Sequence, residues 1–399
     1  METTTHHRVV IVGGGTAGIT VAARLRRKVD DVAVIDPSDQ HYYQPLWTLV
    51  GGGCTDAKST ARSEASVMPK GVSWIKDAAT GFDPENNQVH TAQGKTIGYD
   101  ALVVCPGIQL DWERIPGVTT TLGENGVSSN YTYELAPKTW DFIRGTRSGA
   151  AVFTMPSGPI KCAGAPQKIA YLACDYWREQ GVLDDIDVHL VVPTPRIFGI
   201  PVLADALDEV IADYGITLHT EAELSSLDPD SRKAEFTPMA EGGSSFSLPY
   251  DVLHMAPHQS APDWVKSSSL ATADANGYVE VDKYTHQHVR FDNVFALGDA
   301  GSTPNSKTGA AVRKQAPVVV ANLIAQLEGR PLTKEYHGYS SCPIVTSRHQ
   351  MLLAEFDYDL ERTPSIPLLD LTKPRRDMWY LKKYGLPFLY WNLMLKGFA

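Results

Sequence analysis

The sequence predicts an α/β fold of two Rossmann-like domains followed by a separate C-terminal segment. Three observations carry this reading. An apolar strand runs straight into Gly13-Gly14-Gly15-Thr16-Ala17-Gly18, a second strand–helix unit starts at Ala150, and the stretch from Pro331 to Ala399 is rich in aromatic residues. The 399 residues suffice for two or three domains with full cores. With 43% hydrophobic and 21% charged residues the composition is that of a folded protein, and a net charge of −10 argues against broad nucleic-acid binding. No apolar run approaches the roughly 18 residues of a membrane-spanning helix.

Arg8–Val12 is apolar and β-branched after its first position, as a buried parallel strand requires. The glycine turn opens into an amphipathic helix over Thr16–Lys28, and Val32–Ile35 forms a second strand that ends at Asp36. Gly13 permits the tight turn, Gly15 lets backbone approach a pyrophosphate, Gly18 lets the helix pack on the sheet, and Asp36 suits a ribose 2′-hydroxyl. Free N–H groups at the helix start complete a dinucleotide site.

After a loop-rich stretch from His41 to Gly53, strands are expected at Val72–Ile75, Gln88–Thr91 and Ala101–Cys105, the last ending in Pro106-Gly107. The second unit comprises a strand over Ala150–Thr154, a helix over Ala165–Gln180, a strand over Asp187–Val192 and a helix near Leu203–Asp213. Asn293–Asp299 reads as a strand ending in Gly298-Asp299, and Thr308–Leu327 as a helix that Pro317 bends or restricts. The expected organisation is a dinucleotide domain from residues 1–112 and 291–330, a second Rossmann-like domain from 113–290, and a C-terminal segment from 331–399.

The second unit departs from the glycine rule. After Thr154 the turn reads Met155-Pro156-Ser157-Gly158-Pro159-Ile160-Lys161-Cys162-Ala163-Gly164-Ala165-Pro166, and its prolines remove N–H donors that a pyrophosphate needs. NAD(P)H is therefore not the expected substrate. Cys162 stands instead where the helix begins, a position that favours a thiolate, with Lys161 beside it. The other cysteines are Cys54, Cys105, Cys174 and Cys342. Their odd total, irregular spacing and lack of C-x-x-C argue against a secreted disulfide framework or a zinc ribbon. Cys54, Cys105 and Cys174 read as core residues. No metal site is expected, since Pro257 interrupts any helix that would align His254 with His258.

Between Met378 and Ala399 lie Trp379, Tyr380, Tyr384, Phe388, Tyr390, Trp391 and Phe398, flanked by Arg375, Arg376, Lys382, Lys383 and Lys396. Aromatics with a basic fringe, on a segment interrupted by Gly385 and Pro387, suit a monotopic anchor that lies in a membrane interface.

Lys161-Cys162-Ala163-Gly164-Ala165-Pro166-Gln167-Lys168 closely resembles the first cysteine segment of the sulfide:quinone oxidoreductases, in the mitochondrial-like subgroup with two redox cysteines. Tyr339-Ser340-Ser341-Cys342-Pro343-Ile344-Val345-Thr346 is similar to the second. The likeness extends to His41-Tyr42-Tyr43-Gln44-Pro45, Phe295–Asp299, Lys307-Thr308, Ala354–Tyr358 and Pro387–Asn392, and so covers the chain in one order.

The resemblance implies a glutathione-reductase-type architecture with FAD, held non-covalently because Ser128 and Ala300 replace cysteines of a three-cysteine subgroup. It implies that sulfide attacks a Cys162–Cys342 disulfide, leaving a persulfide on Cys342 and a Cys162 thiolate that reduces the flavin. It places Gly107, Gly298 and Asp299 at the flavin, with Lys307 and Gln315 near its pyrimidine edge, and Phe356, Phe388 and Tyr390 along a quinone channel. The implied partners are sulfide, ubiquinone or another membrane quinone, a sulfur acceptor (sulfite, thiol, cyanide or polysulfide), a membrane surface and a second copy of the chain. The expected location is a bacterial cytoplasmic membrane, or the mitochondrial inner membrane if a presequence has been removed. Two alternatives stay open: a type II NADH:quinone oxidoreductase-like flavoenzyme, and a flavin redox sensor or persulfide carrier that does not turn over.

Overall fold

The computed structural model describes residues 4–399. A seven-stranded sheet is ordered Ser73–Ile75, Val32–Ile35, Thr4–Val12, Thr96–Val104, Gln88–Thr91, Ala79–Asp83, with Val294–Ala296 also on Thr96–Val104. The central strand is shared lengthwise. Its first half pairs antiparallel with Gln88–His90, and its second half, Leu102–Val104, pairs parallel with Val294–Ala296. That register brings a segment from nearly 200 residues downstream beside the glycine turn. Val9–Val12, Val32–Ile35 and Ala101–Val104 are buried throughout, as expected of strands covered on both faces.

A second, all-parallel sheet is ordered Val127–Ser128, Val252–Met255, Gly149–Thr154, Ile186–Val191, Thr217–His219. The helix Ala165–Glu179 packs on it, with Ile169, Leu172, Ala173 and Trp177 buried in the core around it. A short antiparallel pair, Gln109–Asp111 with His258–Ser260, ties the two sheets together. An antiparallel hairpin, Ser340–Val345 with Met351–Phe356, sets Cys342 opposite Ala354.

His41–Gly53, expected as loop, carries a strand at Gln40–Tyr42 and a helical turn at Trp47–Gly51. The tail is also more regular than expected. Gly385 and Pro387 do not break it: Arg376–Tyr380 and Leu386–Asn392 are α-helical, joined by a wide π-turn over Leu381–Gly385. The wide turn accommodates a proline that cannot donate to the ladder. Trp379, Tyr390 and Trp391 are buried, whereas Tyr380, Tyr384, Phe388 and Phe398 are exposed. Among the described residues no helix is long and apolar enough to cross a membrane.

Candidate functional site

Four strand ends define one edge of the larger sheet. In order across it stand Asp36, the turn Gly13–Gly15, Cys105–Gly107, and Gly298-Asp299, at strand spacings of about 4.8 Å. All of them line a cleft of about 640 Å³. Gly13 has φ +106, and a Cβ there would lie 2.4 Å from the Cys105 carbonyl oxygen. A Cβ on Gly18 would lie 1.8 Å from the Gly13 carbonyl oxygen, so the helix can approach the turn only as glycine. A Cβ on Gly15 would meet nothing within 4 Å, which leaves its backbone bare to the cleft. Asp36 accepts the Gly14 N–H at 2.5 Å and the Ser38 N–H at 2.8 Å. An extended, glycine-floored channel with a helix N-terminus over its middle fits a dinucleotide lying along the sheet edge.

Lys307 joins this channel to the second sheet. Its ammonium donates to the carbonyls of Asp299 and Gly301 at 2.8 and 2.9 Å and lies 3.9 Å from the centre of the Tyr278 ring. Burial lowers its pKa to about 8, against the pull of Asp299, and burial raises that of Asp299. The Lys307 carbonyl accepts the Cys162 N–H at 3.2 Å. Gln315 does not line the cleft. Its amide oxygen accepts the Gly298 N–H at 3.0 Å, so it holds the Gly298-Asp299 turn from behind.

Cys162 and Cys342, 180 positions apart in sequence, both line the cleft, and both lie against Lys168 and the helix start. Cys162 precedes the helix cap Gly164 by two residues and has φ +50, in the left-handed region. The cation hydrogen-bonded to its sulfur is Lys168, whose ammonium donates at 3.1 Å, whereas the Lys161 ammonium donates to the Gln44 amide oxygen at 2.5 Å. The Tyr131 hydroxyl donates to the Cys162 carbonyl at 3.3 Å. The bond from Cys342 holds Cys162 well below the ordinary thiol range, against burial and with help from the Lys168 and Lys382 ammoniums. The same bond, with burial, pushes Cys342 well above it. The pair is thus polarised.

Lys168, Lys382 and Tyr131 were not expected from the sequence. Lys168 lay within reach of helical spacing from the cysteine; Lys382 reaches the site only through the folding of the tail. Cys54 lies off the cleft, with its pKa raised to about 11 by burial, and Cys105 and Cys174 are buried. Of the three aromatic channel candidates, only Tyr390 lines the cleft. Phe356 alternates with the cleft-facing Glu355 along its strand and packs against Phe198 on the other face. Phe388 is 62% exposed on the outer side of the tail.

A dinucleotide channel that ends on a pair of thiols defines a flavoprotein of the disulfide oxidoreductase class, and the pyridine nucleotide-disulphide oxidoreductase family matches residues 7–316. FAD is its cofactor. The chain is 43% identical to the mitochondrial sulfide:quinone oxidoreductase of Dictyostelium discoideum, over 96% of this chain and 84% of that protein. It is 40% identical to the Mus musculus protein of the same name, over 96% and 85%. The solved structure of the sulfide:quinone oxidoreductase from Aquifex aeolicus shares the fold, with a TM-score of 0.84 at 19% identity, over 99% of this chain and 92% of that one. This chain belongs to the sulfide:quinone oxidoreductase family.

Proposed function

We propose that the protein oxidises sulfide and reduces a quinone, with Cys162 and Cys342 as the redox couple. The observation that carries this reading is the convergence of Cys162, Cys342 and Lys168 on the cleft that fits the dinucleotide. In a Cys162–Cys342 disulfide the better leaving group is the sulfur held as thiolate, so hydrosulfide attack goes to Cys342 and expels Cys162. One S–S bond forms between sulfide and Cys342 as the Cys162–Cys342 bond breaks, and Lys168 receives the released thiolate. An acceptor then removes the sulfane sulfur, leaving Cys342 as thiolate, and re-forming the disulfide releases two electrons. Bound FAD supplies the carrier for those electrons between the thiols and the quinone. Gly13, Gly15, Gly18, Asp36, Gly107, Gly298, Asp299 and Lys307 hold it, and Gln315 positions Gly298.

The quinone enters at the tail, where Leu381, Leu386, Leu389 and Tyr390 form an apolar wall of the cleft. The exposed Tyr380, Tyr384 and Phe388, spaced four apart along the tail, lie at a membrane surface with Lys383 over the Tyr384 ring. A nicotinamide substrate is disfavoured in the second unit, where Glu223 already takes the Ser157 N–H at 2.8 Å in the turn a pyrophosphate would occupy. The test is stopped-flow mixing of the FAD-loaded enzyme with sulfide or NADH. Sulfide should bleach the flavin, and Cys162→Ser and Cys342→Ser should each abolish that while retaining FAD. Bleaching by NADH alone, or turnover in either variant, would refute the reading.

A further inference from the structure

The tail helix reaches into the cleft through one hydroxyl. Tyr390 places it 2.6 Å from His41 Nε2 and 2.9 Å from Thr16 Oγ1. On the far side of the imidazole, Nδ1 lies 3.1 Å from Glu64 Oε2 and 3.1 Å from the Gly14 carbonyl. His41 is 2% exposed and Glu64 1%, and Glu64 Oε1 has no hydrogen-bond partner. All three side chains line the cleft. A carboxylate and an imidazole shut away together are a poor way to fasten a tail, because apolar packing of the same volume would stabilise the contact as well or better. Their arrangement in series, carboxyl to imidazole to phenol, is the arrangement that moves a proton.

We infer that Glu64, His41 and Tyr390 form a proton relay that supplies one of the two protons taken up when a quinone is reduced at the tail end of the cleft. The inference rests on the quinone reading above. Reduction to the quinol needs two electrons and two protons. The reduced flavin carries both electrons and one proton, so one proton must come from the protein. The Tyr390 O–H bond breaks as an O–H bond forms on the quinone oxygen. His41 Nε2 returns a proton to the phenol oxygen, and Nδ1 is resupplied from Glu64. Each turnover thus draws one proton from the Glu64–His41 pair, which is replaced from solvent by way of Glu64. Tyr390 is the catalytic residue of the three; His41 and Glu64 act through it.

The experiment reduces the FAD-loaded enzyme with dithionite and mixes it with a short-chain ubiquinone analogue. Using dithionite keeps the result independent of whether sulfide is the donor. Tyr390→Phe and His41→Gly should retain FAD and slow reoxidation on the order of 100-fold. Imidazole in solution should restore part of the rate to His41→Gly, and ferricyanide, which takes electrons without protons, should reoxidise both variants with little change. In 15N spectra of the histidine ring, Tyr390→Phe should move the Nε2 resonance of His41 and Glu64→Gln the Nδ1 resonance. Equal slowing with quinone and ferricyanide, no rescue by imidazole, or unmoved ring resonances would each overturn the relay. Wild-type enzyme that quinone cannot reoxidise would remove both the relay and the quinone reading. Failure of sulfide to bleach the flavin, with the dithionite results intact, would remove the sulfide reading and leave the relay standing.

Discussion

The Lys168 ammonium donates a 3.1 Å hydrogen bond to the sulfur of Cys162, six residues before it. Burial lowers the pKa of this lysine, yet the sulfurs of Cys162 and Cys342 outweigh burial and raise it above the ordinary lysine value. The lysine in turn helps hold Cys162 as a thiolate inside the protein, where an unpaired sulfur anion would not persist.

Removing the charge should therefore raise the Cys162 pKa. In Lys168→Met the pH midpoint for alkylation of Cys162 by iodoacetamide should rise by about one pH unit or more. Flavin bleaching by sulfide should slow roughly tenfold at neutral pH, because the leaving sulfur is poorer. An unchanged alkylation profile would show that the Cys342 bond alone sets the polarisation.

Gly164 is the floor under the second sulfur. A Cβ there would lie 2.8 Å from Cys342 Sγ and 3.2 Å from Lys168 Cε, although its φ of −79 would accept alanine without strain. Gly164→Ala should cost about 1–3 kcal/mol by overpacking, read as a lowered melting temperature. It should also cut sulfide-driven bleaching out of proportion to that cost, since the displaced sulfur no longer faces Cys162. A variant with normal bleaching would mean that the hairpin carrying Cys342 moves freely.

The dinucleotide half was legible because its signals are local. Buried parallel strands such as Val9–Val12 and Ala101–Val104 are apolar runs, and the steric demands at Gly13 and Gly18 are met only by glycine. The cysteine pair was expected only through the resemblance, since nothing local ties Cys162 to Cys342. What escaped depends on direction. Lys161 is next to Cys162 in sequence, but its ammonium bonds Gln44 while Lys168 bonds the sulfur. Phe356 and Glu355 differ by one position on a strand, so assigning the wrong face exchanged a cleft residue for a packed one. His41, Glu64 and Tyr390 are brought together from three distant segments, and no spacing rule connects them.

Lys382 is where stability and chemistry pull apart. The residue is 3% exposed, and its ammonium donates to the Pro45 carbonyl at 2.8 Å and has a pKa lowered to about 8. Burial is the main cause, repulsion from Lys168 adds to it, and the two cysteine sulfurs oppose both. The unfolded chain titrates this lysine near 10.5. Between about pH 8 and that value the unfolded state binds a proton that the folded state lacks, so stability rises with pH across the window. Below about pH 8 the folded protein carries the whole cost of the buried charge. Lys382→Met should therefore unfold at a higher temperature at pH 7, by on the order of 1–3 kcal/mol, and lose that advantage as the pH is raised to 10. It should also raise the pH midpoint of Cys162 alkylation and slow sulfide-driven bleaching, because one of the cations facing the thiolate is gone. Thermal unfolding at the two pH values, alongside the alkylation profile, decides the matter. A variant less stable at pH 7 would make Lys382 a clamp on the Pro45 segment, and a lysine kept for its charge would be the wrong account of it.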